Sequence, residues 1–577
     1  MNSNRKLLTT LLRGICIVSA MFLLQLLLEK ECGTLNDDNV TGFITYLNNQ
    51  FPKLYPHDPL LPSMRGYLTV VYDVFHFFSS FLGEKWAYVC LLFASKILLL
   101  ATMYTACLLI YHSEIAASLA LLCILVPHGI MGDSWTAKFS GFFPESFGQP
   151  MCLLALAFLF ARKHWLFGIC TFLSFYVHAM SATWCLLLGT GILILSKKWR
   201  QLFSLTLLGT LVLAPFFYHY FSHSSFGSIN SDLVTTVARW RSTRHLFFLS
   251  WPVSEYIAPL ITMLFMALTV HQVLKHFNLK SELQFFRHFI LMSVGLWIAG
   301  ILFTEWIPLR LMYSLQLLRS SSLDFLVLTA FFGGCLALAN ARTEGRLFLC
   351  IPTAAVVYIF LRSQIDYKNA LFVLIFLSGF LIISRTDIQI TSFSFYKAWG
   401  RASWVLLCCI LSVVIFTRRV YRPNLLHQPY RFNWDESLGN VYGNGFLGAA
   451  AWARNHTNAS ALFVTHPAEI GFRYFSRRST VLNWKDGGII ILYPKITEQF
   501  VSVLAGYGFR PPGPPDLENV AASSIIKVGM KNKADYALIP IASCKLYSQR
   551  IPASASCNGN VVYENDTWKI IKLNQDN

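Results

Sequence analysis

The sequence predicts a mostly α-helical, polytopic membrane protein that ends in a small α/β domain. Three observations predict it. Of 577 residues, 55% are hydrophobic and 13% are charged, and the mean hydropathy is +0.50. That charged share is about half the usual 25% of a soluble domain. Up to residue 420, apolar runs follow one another almost without pause, each near the roughly 20 residues that cross a bilayer as helix. Beyond residue 420 the pattern changes to short strand-like runs and proline clusters such as Arg510-Pro511-Pro512-Gly513-Pro514-Pro515. This composition excludes a soluble enzyme of ordinary surface. It also excludes a disordered chain, which needs low hydrophobicity and high charge. The net charge of +18 is carried by residues that punctuate apolar runs. It therefore reads as membrane orientation and anionic-lipid contact, with no role for nucleic acid.

Taken in order, spans are expected near 7–28, 86–111, 115–131, 147–161, 164–178, 181–196, 202–220, 253–276, 288–306, 322–340, 346–363, 369–384 and 403–419, about 13 in all. The segment 67–83 is interrupted by Asp73 and His76 and reads as an interfacial or re-entrant helix. Arg5 and Lys6 precede the first apolar run, which lacks a small-residue cleavage site and reads as an anchor. Arg162-Lys163-His164, Lys197-Lys198 with Arg200, and 341–346 and 385–401 mark the cytoplasmic side. The first outer loop (29–85), the loop 221–252 and the domain 421–577 then fall outside. Most of the fourteen cysteines lie in or beside spans as small apolar residues. Cys544 and Cys557 lie in a polar stretch and suit a disulfide if the tail meets an oxidising compartment.

Charges beside apolar segments need a reason. Asp37 and Asp38 open an amphipathic stretch 40–51, as general base or metal ligand, or as caps of that helix. Tyr55-Pro-His57-Asp58-Pro59 offers a substrate contact or an ordinary turn. In the second outer loop, Asp133 and Glu145 lie at membrane depth, and Pro144-Glu145-Ser146 opens a helix. Glu145 is then a second acid, or simply an acid favoured by the helix dipole. His178 sits between two short spans, as a substrate contact or a structural residue. Arg239-Trp240-Arg241, Arg244-His245, Arg310 and Arg319 form basic sets suited to a lipid phosphate or to snorkelling. No P-loop, dinucleotide fingerprint, HExxH, paired CxxC or nucleophile elbow is present. No strong internal repeat supports a secondary transporter.

Short spans after an acidic outer loop, with a soluble tail on that loop's side, form a plan. With Tyr55-Pro-His-Asp58-Pro59, Pro144-Glu145-Ser146, His178 and Leu315-Gln316-Leu-Leu-Arg319-Ser320, it resembles the GT-C superfamily of integral membrane glycosyltransferases. It looks closest to poorly characterised bacterial multi-span members. The tail segments 450–457, 461–467, 471–478, 481–486 and 534–540 fit a small α/β domain of that plan. The resemblance implies a polyprenyl-phosphate-linked sugar as donor and a glycan, lipid or protein as acceptor. It implies a base at Asp37 or Asp38, a second acid at Asp133 or Glu145, and phosphate or sugar contacts from Arg473, Arg477, Arg478 and Lys485. The acid within Pro144-Glu145-Ser146 departs from the basic or neutral residue expected there. No organic cofactor is implied, and a divalent metal requirement stays open. A bacterial inner membrane is the expected location. The competing expectations are a non-enzymatic carrier or flippase of a lipid-linked substrate, and a catalytically inactive scaffold.

Overall fold

The computed structural model describes residues 2–28, 37–51, 53–66, 68–125, 143–223, 231–251, 253–342, 442–491, 496–509, 517, 519–547 and 560–573. The expected spans 346–363, 369–384 and 403–419, Asp133 and Cys557 lie outside these residues. So does the proline cluster 510–515.

Helices dominate the first part: α1 (Asn2–Leu28), α2 (Asp37–Gln50), α3 (Val70–Tyr111), α4 (Glu114–Leu125), α5 (Pro144–Phe160), α6 (His164–Leu195), α7 (Trp199–His223) and α8 (Ser231–Arg241). After them come α9 (Thr243–Leu246), α10 (Val253–His276), α11 (Lys280–Ile301), α12 (Arg310–Leu315) and α13 (Ser321–Arg342). Among the described residues, five helical stretches are long and apolar enough to cross a membrane: Val70–Tyr111, His164–Leu195, Trp199–Ser222, Lys280–Trp306 and Leu311–Leu338. Large apolar side chains remain exposed on their outer faces, among them Phe203, Leu207, Leu211, Leu291 and Ile298. Lipid is the solvent that tolerates such a face.

Two of these helices are broken, each for a local reason. Gly83 interrupts α3 with φ +79, a backbone region that costs glycine nothing. Phe43 packs its ring against both Phe75 (4.4 Å) and Tyr88 (6.1 Å), on opposite sides of that break. The segment 70–82 is therefore a helix folded against α2, consistent with a non-spanning reading, with Asp73 exposed. In α6 the break falls at His178 (φ −153). Thr171 Oγ1 lies 3.5 Å from Cys185 Sγ, and Gly189 abuts the Phe167 ring. Fourteen residues of straight helix would separate the first pair by about 21 Å. The two halves of α6 thus run side by side as a hairpin, matching the two short spans expected at 164–178 and 181–196.

The tail holds α14 (Asn444–His456), β1 (Leu462–Thr465), α15 (Phe472–Ser476), β2 (Ser479–Thr480), α16 (Gly487–Ile490), α17 (Thr497–Gly506), α18 (Ala522–Lys531), β3 (Tyr536–Pro540), α19 (Ile541–Tyr547), β4 (Asn560–Glu564) and β5 (Trp568–Lys572). The strands order as β2-β1-β3-β5-β4. The β2, β1 and β3 strands run parallel, and β5 and β4 close the sheet antiparallel. Alternation sorts the side chains into two layers. Phe463, Leu538 and Ile570 join Phe446 and Ala450 of α14, whereas Val464, Ala537 and Ile571 join Ile525 and Val528 of α18.

The second of these layers does not stop at the tail. It is continuous with Phe43, Tyr55 and Leu61 of the first loop, with Val234 and Val237 of α8, and with Tyr313. The first loop, α8 and the tail therefore share one core on one side of the helices. Cys544 is in a disulfide.

Candidate functional site

Two polar networks stand out, one joining the first loop to the tail and the other among the helices. The first is built on Arg473, which α15 carries into the shared core. Its Nε donates to Asp58 Oδ2 (2.6 Å), Nη1 to Asp486 Oδ1 (2.7 Å), and Nη2 to Asp486 Oδ2 (2.9 Å). Asp58 also accepts from the amides of Leu60, Leu61 and Thr480, so its loop closes as an Asx turn against β2. Asp486 is fixed by a reciprocal capping box with Asn483. The Tyr55 hydroxyl donates to the Arg473 carbonyl (3.0 Å), and the His57 amide donates to Ser479 Oγ (3.3 Å). Burial opposes the Arg473 charge, but Asp486 and Asp58 outweigh it and hold its pKa above the ordinary value.

Asp58 and Arg473, expected as substrate contacts, are here paired with each other. Both are buried, and the void lined by Arg473 and Asp486 is about 10 Å³, room for one water at most. They lock the first loop to the tail. Arg477 pairs with Glu84 (2.9 Å), which also accepts from the Tyr474 hydroxyl (2.7 Å), so it too joins the tail to α3. Lys485 lies partly buried in the turn Trp484–Asp486, and the His57 side chain is exposed. On α8, Arg239 lies over the Phe247 ring, and Arg241 sits against Gly487 of the tail.

The second network joins two predicted residues, Glu145 and Arg319, from distant parts of the chain, with a third, His178, near it. Glu145 stands in the first turn of α5, where Pro144 presets the helix and Ser146 caps it back to Phe143. Arg319 Nη2 donates to Glu145 Oε2 (2.9 Å), and Gln149 Nε2 donates to Glu145 Oε1 (2.7 Å). Arg319 Nη1 reaches Gln316 Oε1 (3.1 Å), and Gln149 Nε2 also reaches Ser322 Oγ (2.6 Å). The Glu145 and Arg319 side chains keep 14% and 16% of their surface exposed, unlike the sealed lock.

His178 enters at the α6 break. A Cβ placed on Gly148 would lie 2.7 Å from His178 Cβ, so only glycine on α5 admits the bend this close. The Thr69 hydroxyl caps the freed Val177 carbonyl (2.7 Å). The Ser181 amide donates to His178 Nδ1, so that nitrogen accepts and the ring proton sits on Nε2. Arg319 acts electrostatically on the ring. Gln149 is buried, and among the described residues its Oε1 has no donor. The site can thus offer a carboxylate, a guanidinium, an imidazole and an open amide acceptor together. Among the described residues no three His, Cys, Asp or Glu side chains converge to hold a metal ion.

Asp37 and Asp38 lie in the first turn of α2, which starts three residues before the expected helix. Their side chains, and that of Arg310 at the start of α12, are outside the described structure. The reading missed Glu84 and Asp486, the carboxylates opposite Arg477 and Arg473. It also missed Asp324, buried in α13, which accepts from Ser293 (2.8 Å) and Trp297 Nε1 (3.0 Å). The run Ser320-Ser321-Ser322 ahead of it was the available signal.

A family profile described as a domain of unknown function, DUF6798, matches residues 445–487. That stretch carries α14, β1, α15, β2 and the turn of Asp486, hence two of the three charged residues of the lock. No curated protein matches the chain in sequence.

Proposed function

We propose that the protein is a membrane glycosyltransferase of the GT-C plan, moving a sugar from a polyprenyl-phosphate donor to a glycan, lipid or protein acceptor. The observation that carries this reading is the convergence of Glu145, Arg319 and His178 near the start of α5 and the bend of α6. In this reading Glu145 takes the proton of the acceptor hydroxyl, whose oxygen attacks the anomeric carbon. The sugar–phosphate bond breaks, and its electron pair leaves on the lipid phosphate, held by Arg319 through its planar fork. The donor phosphate competes with Glu145 for Arg319, so donor binding frees the base. His178 Nε2–H and Gln149 Oε1 meet sugar or acceptor hydroxyls. Asp37 or Asp38, at the foot of α2, orients the acceptor.

The tail faces outward in this scheme, in a bacterial inner membrane, and the full span count rises toward 13. The disulfide at Cys544 supports an oxidising compartment. Purified protein offered radiolabelled polyprenyl-phosphate hexoses and pentoses, with mixed acceptors, tests the reading. Glu145→Gln is expected to slow lipid-phosphate release about 10²- to 10⁴-fold, with labelled donor still bound. Release that persists in Glu145→Gln and stops in Asp37→Asn/Asp38→Asn moves the base to the first loop. A scaffold is the second reading, favoured because Glu145 is already neutralised by Arg319. It gains if no donor turns over.

A further inference from the structure

At the opposite end of α5 lies a second site. Arg162 follows the last turn of α5, about 25 Å along the helix from Glu145. His178 packs against Gly148 near Glu145, and the first half of α6 leads away from it to His164. The ends of α5, α6 and α7 frame an open cavity of about 580 Å³. Arg162, Lys163 and Arg200 line it, with Gln201 and Ser204 as further polar groups, and none of the lining residues is acidic. Arg162 and Lys198 both act electrostatically on His164. Leu166 and Leu205 form the apolar part of the wall.

We propose that this cavity binds the phosphate headgroup of an anionic glycerophospholipid, on the membrane face away from the tail. Two arginines suit phosphate oxygens because each guanidinium can donate two parallel hydrogen bonds. Trp165 and Trp199, both 59% exposed, flank the cavity at the starts of α6 and α7, the level at which indoles settle in a bilayer. From there Phe203, Leu207 and Leu211 run down α7 as an exposed stripe, at 73%, 58% and 69%. Their four-residue spacing keeps them on one face, a track for an acyl chain continuous with the headgroup site. That stripe already faces the bilayer, so a lipid whose headgroup enters the cavity can lay an acyl chain along it, a contact that a soluble phosphate does not make. The positive side of this cavity also agrees with the basic bias of cytoplasmic loops.

Native mass spectrometry of the delipidated full chain in neutral detergent tests the site. Phosphatidylglycerol, phosphatidylcholine and inorganic pyrophosphate are the three probes. Phosphatidylglycerol is expected to bind more tightly than phosphatidylcholine. Arg162→Gln/Arg200→Gln is expected to lose about thirtyfold of that preference, from two basic contacts near a lipid surface. Arg200→Gln alone, at an exposed position, is expected to lose about fivefold and serves if the double variant does not fold. Equal binding of the two lipids, or an unchanged preference in the variants, overturns the proposal. Pyrophosphate that binds alone and displaces phosphatidylglycerol overturns the lipid assignment in favour of a soluble phosphate.

Discussion

Of two carboxylate–arginine networks, one joins the first loop to the tail and the other lies among the helices. In one, Arg473 spans Asp58 and Asp486, every named bond is short, and the neighbouring void is about 10 Å³. In the other, Arg319 spans Glu145 and Gln316 with part of each charged side chain exposed and with Gln149 Oε1 unmet among the described residues. The pairs are chemically alike, so residue type does not separate a lock from a site. Solvent access and completeness of pairing do. A sealed, complete network resists both ligand and motion. An accessible, incomplete one keeps acceptors and charges that a substrate can claim.

The largest test of this contrast is Arg473→Leu. It leaves two carboxylates buried without their cation and is expected to cost the tail about 3–5 kcal/mol, read as early thermal unfolding and rapid proteolysis. Combining it with Asp58→Asn and Asp486→Asn should restore most of that loss, because a neutral buried network is close to break-even. If the triple variant is as unstable as the single one, electrostatics is not what the lock contributes.

A pH titration separates the lock from the remainder of the tail. Burial lowers the His466 pKa to about 4, against about 6.5 in an unfolded chain. The folded tail disfavours the protonated ring, so this stability is complete above pH 6.5 and is lost as pH falls toward 4. The loss approaches about 3 kcal/mol. In His466→Gln the acid slope over that window should flatten, and an unchanged slope assigns it to other groups.

Gly148→Ala probes the open network from its scaffold. The new Cβ meets His178 Cβ at 2.7 Å, so α5 and the α6 bend must part, at about 1–3 kcal/mol. Donor binding should weaken more than tail stability. Equal losses in both would merge the two networks into one structural unit. The smallest effect is expected from Glu84→Gln. Its pair with Arg477 is 42% exposed on the Glu84 side, and such pairs contribute about 0–1 kcal/mol.

The sequence carried the elements that obey local rules. The small α/β tail, the two short segments around His178 and the helix opening at Pro144-Glu145-Ser146 all follow from hydropathy and capping. Glu145, His178 and Arg319 were each visible as a polar residue beside an apolar run. Their meeting was not visible, because it depends on α5, α6 and the 316–322 segment packing together. Asp58 and Arg473 were each visible as a charged residue, but their pairing with each other was not. Their pairing crosses 415 positions, and no local pattern announces a partner that distant. The end of the interfacial segment at residue 83 was legible from the polar Asp73 and His76 within it, and the positive φ of Gly83 falls at that boundary.

That distance has a consequence for biosynthesis. Asp58 emerges early, and its partner Arg473 emerges 415 residues later. At ordinary translation rates the interval is about 20–80 s. Throughout it, the loop carrying Phe43, Tyr55 and Leu61 has no tail to complete its core. The nascent chain therefore waits with apolar surface uncovered, and its last-made domain seals its first-made loop.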